Sequence, residues 1–288
     1  MDNFANHMRQ SYKMNTRVIE NYSELKYSVF LFPSILLLTI FLYLYAQHAL
    51  NINGYINIQK EGFYFLNSQL AQFPNAMYNL TQFGDALIFL SLLSVFIIYA
   101  PELWKALIPA SLLSMILSST LKNLFTVPRP AAALDTQTFF IIGEVLPGHS
   151  SLPSGHSITI FTTLTILMFA FMPQKLILRF LWIFFFLTIG MILALTRVGV
   201  GAHFPLDVII GSIVGYFSAL AGIFISRKYS VWTWVEKNRF FPVLLLMLLV
   251  CFVLILIKMI KDPIPVYGLT IAALFFSIYT ITDAYFKK

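Results

Sequence analysis

The sequence predicts an all-α fold, a polytopic bundle of membrane helices. Of its 288 residues, 59% are hydrophobic and only 11% are charged, whereas roughly 25% are charged in an ordinary soluble domain. Several apolar runs are long enough to cross a hydrocarbon core of about 30 Å. Lysines and arginines gather in the short connections between these runs, so the net charge of +7 indicates membrane orientation and not nucleic-acid binding.

Eight membrane spans are predicted along the chain. They lie at residues 27–46, 85–101, 104–122, 157–173, 176–195, 204–226, 241–260 and 265–285. The first follows a long polar segment and favours a retained helix over a cleaved signal peptide. Before the second, residues 63–83 mix aromatic residues and leucine with Asn and Gln, which indicates a helix lying in the membrane interface or, alternatively, a plain extramembrane loop.

Cation placement predicts the orientation of these spans. With both termini cytoplasmic, thirteen of the nineteen Lys and Arg residues face the cytoplasm of a cell (inner) membrane. Three clusters of polar residues then fall together on the opposite, periplasmic or outer face, although this grouping played no part in assigning the spans. The single cysteine, Cys251, excludes an intramolecular disulfide, and the sequence has no Cys/His metal cluster.

The first polar cluster is Lys122 with Arg129-Pro130, where the third span ends. Pro128 and Pro130 flank Arg129 and restrict its backbone to non-helical conformations. Arginine offers a planar fork and lysine a point charge, and both suit a phosphate. The alternative is that both side chains reach out to lipid headgroups.

The second cluster, Pro153-Ser154-Gly155-His156, leads directly into the fourth span. Ser154 is a candidate N-cap, and a helix N-terminus favours anions through its free N–H groups and its dipole. Gly155 permits close approach of a ligand to the backbone. His156 would stand beside the anion and could deliver a proton. A plain serine cap with an interfacial histidine is the alternative.

The third cluster is Arg197-x5-His203-x3-Asp207, which is the most specific of the three. His203 and Asp207 are four residues apart, and we expect them on one face at the start of the sixth span. A carboxylate that holds one imidazole nitrogen leaves the other free to attack phosphorus, while Arg197 neutralises the phosphoryl charge. A purely structural His–Asp pair is the alternative, but an acid near membrane depth is usually functional.

Together these residues resemble the type 2 phosphatidic acid phosphatase (PAP2) superfamily, whose pattern is K-x6-RP, then PSGH, then SR-x5-H-x3-D. All three pieces match in order, except that Thr196 stands where the pattern has serine and keeps its hydroxyl. The resemblance divides the chain into a cytoplasmic segment 1–26, a PAP2-like transmembrane catalytic domain 27–226 and a two-helix extension 227–288. It implies a six-helix core and nothing about the extension.

The resemblance also implies a lipid phosphatase that works through a phosphohistidine and needs no metal or other cofactor. His203 would be the nucleophile, Asp207 would orient it, and His156 would protonate the leaving oxygen. The phosphate would be held by Lys122, Arg129, Ser154, Gly155 and Arg197.

Several functions are left open by the sequence. Candidate substrates are undecaprenyl diphosphate, phosphatidylglycerophosphate, phosphatidate and the phosphates of lipid A. The same histidine could pass the phosphoryl group to another lipid alcohol. Non-catalytic lipid binding or transport is a third hypothesis, disfavoured because binding alone does not require both His156 and His203. The expected partners are an amphiphilic lipid phosphate and membrane lipids, and the oligomeric state is open.

Overall fold

The computed structural model describes residues 2–229 and 231–286, and this part of the chain is helical without any strand, with 81% helix. The all-α prediction is therefore confirmed. The helices are α1 (Asp2–Ser23), α2 (Leu31–Ala46), α3 (Ile52–Leu70), α4 (Pro74–Thr81), α5 (Ala86–Leu93), α6 (Phe96–Tyr99), α7 (Pro101–Phe125), α8 (Pro130–Ala133), α9 (Gly155–Ala170), α10 (Leu176–Gly199), α11 (Pro205–Lys228), α12 (Phe241–Lys261) and α13 (Pro265–Phe286).

Six segments of the described chain are long and apolar enough to cross a membrane. They are Tyr27–Ala46, Pro101–Ala133, Leu176–Gly199, Pro205–Lys228, Asn238–Lys261 and Pro265–Phe286. Each coincides with one of the predicted spans, apart from shifts at the ends. The protein is a multi-pass membrane protein.

The other two predicted spans need correction. Residues 85–101 do not form one helix but the short helices α5 and α6. At the break, the Ser94 N–H donates to Ser91 O and the Ile97 N–H donates to Ser94 O. Hydrogen bonds to the third preceding residue, as in a 3-10 helix, therefore replace the α-helical bonds to the fourth preceding residue. The span predicted at 157–173 is the apolar helix α9, which begins at Gly155, ends at Ala170 and has only 16 residues.

The segment predicted at 63–83 is helical, so the alternative of a plain loop is wrong. It is not a single helix, however, because α3 ends at Leu70 and α4 begins at Pro74. Proline fits the first turn of α4, where its missing N–H costs no helical hydrogen bond.

Helices α9 and α11 form the centre of the bundle. Most of α9 is buried, and Gly215 of α11 allows its backbone to approach Ile158 O so closely that a side chain there would collide with it. Thr162 of α9 donates a hydrogen bond to Gly215 O across the same contact, at 3.2 Å. The N-terminal ends of α9 and α11 are thereby fixed side by side.

Contacts between helix ends show which of them lie at the same end of the bundle. At one end, α1 contacts the C-terminal end of α9, since Asn21 Nδ2 donates to Ala170 O at 2.9 Å. Arg227, in the last turn of α11, donates to Leu25 O at the same end. The last turns of α7 and α10 and the first turns of α9 and α11 therefore lie at the opposite end, and these four turns or their flanking residues carry all three polar clusters.

Candidate active site

The His203–Asp207 pair is built by the start of α11, although not as the sequence predicted. Phe204 is the N-cap residue and Pro205 is the first helical residue, so His203 lies just before the helix. Asp207, three residues after the cap, turns its carboxylate back to accept a hydrogen bond from the Phe204 N–H at 2.9 Å. Its Oδ2 lies 3.6 Å from His203 Nδ1. Helix capping, and not a shared helix face, brings the two side chains together.

Two further residues hold the Asp207 carboxylate. Ser151 Oγ donates to Oδ2 at 2.6 Å, and Tyr55 Oη donates to Oδ1 at 2.8 Å. Burial raises the pKa of Tyr55 well above its usual value and the Asp207 charge raises it further, so the phenol stays protonated and able to donate. The sequence did not identify either residue, since Tyr55 is on α3 and carries no motif. For Ser151, the only indication in the sequence of a place in the site is its position three residues before Ser154.

The electrostatics of the site keep the His203 imidazole neutral. Burial is the largest cause that lowers the pKa of His203, and the positive charges of Arg197 and Arg129 act in the same direction. Asp207 opposes them, and together these effects lower the pKa to about 4. His203 is 1% exposed, and its Nδ1 faces Asp207 and Ser151 Oγ. At neutral pH the Nε2 lone pair is therefore free to act as a nucleophile.

Arg197 stands in the last turn of α10 and is 6% exposed. Its Nη1 donates to Thr81 Oγ1 of α4 at 2.8 Å, whereas its buried Nε has no hydrogen-bond partner within residues 2–229 and 231–286. The following turn depends on Gly201, whose φ of +77° favours glycine. Because the Arg197 carbonyl accepts the His203 N–H at 3.2 Å, this turn fixes the arginine beside His203.

Ser154 and Gly155 occupy the start of α9, as predicted. Ser154 is the N-cap, and its Oγ accepts hydrogen bonds from Ser157 N at 3.4 Å and from Ser157 Oγ at 3.0 Å. Its own N–H donates to Asp207 O at 3.0 Å and joins the second and third clusters. Gly155 lies against the first cluster, because a Cβ at this position would lie 3.2 Å from Lys122 Nζ. A side chain at this position would press on the ammonium group.

The first cluster is completed by Arg129, in an extended conformation with φ −73° and ψ 161° between its two prolines. Its N–H donates to Gly148 O at 2.8 Å, so the loop before α9 holds it in place. Lys122 is in the last turn of α7. Both side chains are half-buried. The His156 imidazole is within electrostatic range of both cations and also of Arg197 and His203. The structure thus brings the three clusters together.

The assembled site carries an excess of positive charge. Within the part of the chain that the structure describes, no carboxylate lies within ion-pair distance of Lys122, Arg129 or Arg197. Burying unpaired cations is costly, so such groups are usually paired or serve function. Together with the unpartnered Arg197 Nε, the three cations form a site for an anion with several oxygens.

Residues 103–238 match the family model described as PAP2 superfamily. This region of the chain is therefore similar to the PAP2 superfamily. Among solved structures, the chain is similar to the crystal structure of Aquifex aeolicus LpxE, with 28% sequence identity, a TM-score of 0.46 and coverage of 60% of this chain and 96% of that chain. The comparison with curated proteins gave no match.

The match to the PAP2 family model contains all eight predicted site residues, from Lys122 to Asp207. Tyr55 and Thr81, which contact Asp207 and Arg197, lie outside it, as do the helices α12 and α13. Segments that precede the matched region therefore also contact the candidate site. No group of His, Cys, Asp or Glu residues in the described chain is arranged to hold a metal ion.

A cavity of about 800 Å³ leads away from the candidate site into the bundle. It begins at Lys122, Gly155 and His156 and runs between α5, α7, α9 and α12 as far as Trp104. Serine residues of α7 and threonine residues of α9 line part of the cavity, and most of the remaining wall is apolar. The hydroxyl groups belong to Ser111, Ser114, Ser118, Ser119, Thr159, Thr162 and Thr163.

Proposed function

We propose that this protein is an integral membrane phosphatase that removes the phosphate or diphosphate headgroup of a lipid through a phosphohistidine. The observation that carries the proposal is the neutral, buried His203 beside three cations that have no ion-pair partner in the described chain. The match of residues 103–238 to the PAP2 family model supports the same chemistry.

In the first step, Nε2 of His203 attacks phosphorus and the bond from phosphorus to the leaving oxygen breaks. In the free site, burial and the positive charges of Arg197, Lys122 and Arg129 hold the pKa of His156 well below its usual value. A bound phosphate would offset these charges, so that His156 takes up a proton from solvent when the substrate binds. His156 then gives this proton to the leaving oxygen, and Asp207 stabilises the positive charge that develops on the His203 imidazole. Lys122, Arg129 and Arg197 neutralise the phosphoryl oxygens, where charge is concentrated in the transition state.

In the second step, water attacks the phosphorus of the phosphohistidine and the P–N bond breaks. His156, now neutral, takes a proton from the water, and inorganic phosphate leaves. His203 returns to the neutral state in which its pKa of about 4 holds it. Water is the only added reactant. His156 returns its proton to solvent when phosphate leaves, so the cycle balances and all groups return to their starting states.

The cavity supports an amphiphilic substrate. At one end it meets the cations, and along its length Leu112, Met115 and Met247 form an apolar wall whose side chains are 43%, 63% and 54% exposed on the outside of the bundle. A phosphate bound at Lys122 would leave its hydrocarbon tail in this groove. The site would face the periplasmic or outer side, with both termini cytoplasmic, because the Lys and Arg residues are concentrated at the other end.

The test uses the full-length protein purified in detergent. Release of inorganic phosphate is measured from undecaprenyl diphosphate, phosphatidylglycerophosphate, phosphatidate and lipid A, with and without EDTA. We expect phosphate release that survives EDTA and is abolished in His203→Ala. Acid-labile, base-stable phosphoryl label should accumulate on wild type and be absent from His203→Ala. Full activity in that variant, or loss of activity in EDTA, would overturn the proposal, and a newly phosphorylated lipid in place of free phosphate would assign phosphoryl transfer.

A further inference from the structure

The segment Pro74–Gly84, formed by α4 and the short 3-10 turn Gln82–Gly84, lies between the active site and the C-terminal helices. We call it the bridge helix. Asp85 follows it and caps α5 by accepting the Leu87 N–H at 2.9 Å. The bridge helix precedes the region matched by the PAP2 family model. Both α12 and α13 lie beyond the end of that region.

One face of the bridge helix is bonded to the C-terminal pair. Tyr78 Oη donates to Asp262 Oδ2 at 2.5 Å, and Gln82 Oε1 accepts from Tyr267 Oη at 3.2 Å. Next to it, Asp85 forms an ion pair of 2.5 Å with Lys258. The hydrogen bond to Asp262 raises the pKa of Tyr78 to about 12, so its hydroxyl remains a donor at all physiological pH values.

These contacts are spread along the segment. Tyr78 is in α4, Gln82 is in the 3-10 turn, and Asp85 follows that turn in an extended conformation. Within the described chain, the C-terminal pair thus contacts the segment and the residue after it at three successive positions and does not merely contact one end.

Met77, Thr81 and Gly84, which each precede one of these three positions by one residue, contact the candidate active site or the helix end beside it. Thr81 Oγ1 accepts the hydrogen bond from Arg197 Nη1. Gly84 lies directly against the His156 ring, because a Cβ at Gly84 would collide with the Cβ and Cδ2 atoms of that histidine. Met77 packs on the last residue of α10, since its Sδ is 2.7 Å from the place a Cβ would occupy at Gly199.

We propose that Thr81 and Gly84 are positioning residues for Arg197 and His156, and that α12 and α13 act on catalysis by fixing the bridge helix that carries them. Thr81 accepts the hydrogen bond from Nη1 of Arg197 and thereby directs the unpartnered Nε of this arginine towards the phosphate. Gly84 sets the distance of the His156 ring from the leaving oxygen. The C-terminal extension thus has a catalytic purpose, which rests on the function proposed above.

The first experiment addresses the active-site face in the full-length protein. Thr81→Val removes the acceptor with little change of shape, and we expect kcat/KM for a lipid phosphate to fall about tenfold, the effect of one buried hydrogen-bond partner. Thr81→Ser keeps the acceptor and should restore activity. Equal activity in the valine variant, or equal loss in both, would contradict a positioning role for Thr81.

The second experiment uses the leaving group. Gly84→Ala should displace the His156 ring and lower kcat about 100-fold for an alkyl phosphate, the cost of a displacement of about 1 Å. p-Nitrophenyl phosphate needs little protonation of its leaving oxygen, so the loss with this substrate should be much smaller. A loss of the same size with both substrates would mean a general disturbance of the site and would overturn the proposal for Gly84.

The third experiment addresses the C-terminal pair. The double variant Tyr78→Phe, Lys258→Met should lower kcat several-fold without changing the thermal unfolding temperature more than its control does. The matched control is Ser277→Ala, which removes a buried hydroxyl contact of 2.7 Å between α13 and Ser94, away from the bridge helix. Equal kcat in the double variant and in this control would reject the coupling. An inactive His203→Ala together with normal bridge variants would reject this inference alone and leave the proposed phosphatase intact.

Discussion

Ser151 Oγ donates a 2.6 Å hydrogen bond to Asp207 Oδ2, the carboxylate oxygen that also faces His203 Nδ1. The other oxygen, Oδ1, accepts from Tyr55. Asp207 therefore has fixed partners on both oxygens, and its orientation does not depend on the histidine that it serves. This arrangement predicts that residues outside the recognisable motifs control the nucleophile.

Loss of the Tyr55 hydroxyl should lower activity. In Tyr55→Phe, Oδ1 of the buried Asp207 loses its donor, and we expect kcat/KM to fall about tenfold, as for other buried hydrogen bonds to a charged group. The matched control is Tyr64→Phe on the same helix, whose hydroxyl contacts Thr138 near the surface at 3.1 Å. The rate of phosphate release is measured for both variants. Similar rates in the two would show that Tyr55 does not orient the carboxylate.

Protonation of His203 should couple folding to pH. In the folded protein its pKa is about 4, whereas the ordinary value is 6.5. Between these values the unfolded chain binds more protons, so the free energy of unfolding falls as the pH decreases from about 6.5 towards 4, by up to about 3 kcal/mol. Thermal unfolding in detergent measured against His203→Gln, which lacks the titrating group, should show a stability difference that shrinks with acidification. A constant difference would contradict the low pKa.

Arg197 should not tolerate replacement by lysine. An ammonium group cannot donate to Thr81 and also present a fixed fork to a phosphate, so Arg197→Lys should lower kcat/KM about 100-fold despite keeping the charge. Arg227→Lys provides the control at the opposite end of the bundle, where the guanidinium donates to Leu25 O. Steady-state phosphate release measures both, and a loss of less than threefold in Arg197→Lys would mean that charge alone suffices.

Asn67 should be important for stability. Its amide donates to Phe140 O and Val198 O, each at 3.0 Å, and accepts the Phe140 N–H at 2.8 Å, which joins α3 to the end of α10 and to the loop before α9. Asn67→Ala leaves buried main-chain groups without partners and should lower the free energy of unfolding by about 2–3 kcal/mol. The exposed Asn75→Ala is the control, and an unfolding temperature of Asn67→Ala equal to that of this control would refute the prediction.

The groove should accept the lipid tail. Ser114→Leu adds bulk to the cavity wall and should raise KM for a long-chain lipid phosphate several-fold while leaving p-nitrophenyl phosphate turnover unchanged. Thr120→Leu makes a similar change on the same helix, at an exposed position that does not line the groove. A parallel change of KM for both substrates in Ser114→Leu would mean that the tail binds elsewhere.

Much of the site could be predicted because its residues occupy helix ends. Apolar runs alternate direction across the bundle, so the turns after α7 and α10 and the turns before α9 and α11 must lie at one end, whatever the exact span limits. The position of His203 outside α11 could also have been predicted. Proline is favoured as the first residue of a helix, and Pro205 in that position places the cap at Phe204 and the histidine before it.

Other parts could not be predicted because they depend on tertiary contacts. Tyr55 and Thr81 lie in the polar stretch between the first two predicted spans and carry no local signal, yet they donate to Asp207 and accept from Arg197 across more than a hundred residues. Hydropathy also treats residues 85–101 as one apolar run. It cannot register the break at Ser94, whose hydroxyl bonds to Ser91 O and to Ser277.

The exposed positions of Leu112, Met115 and Met247 along the groove determine how a lipid would reach the cations. A lipid that slides in sideways between α7 and α12 keeps its tail in the bilayer during turnover. Encounter then takes place in two dimensions, and the reaction rate depends on the mole fraction of the lipid in the membrane instead of its amount per volume of buffer. Diluting the bilayer with inert phospholipid should slow this enzyme at constant total substrate.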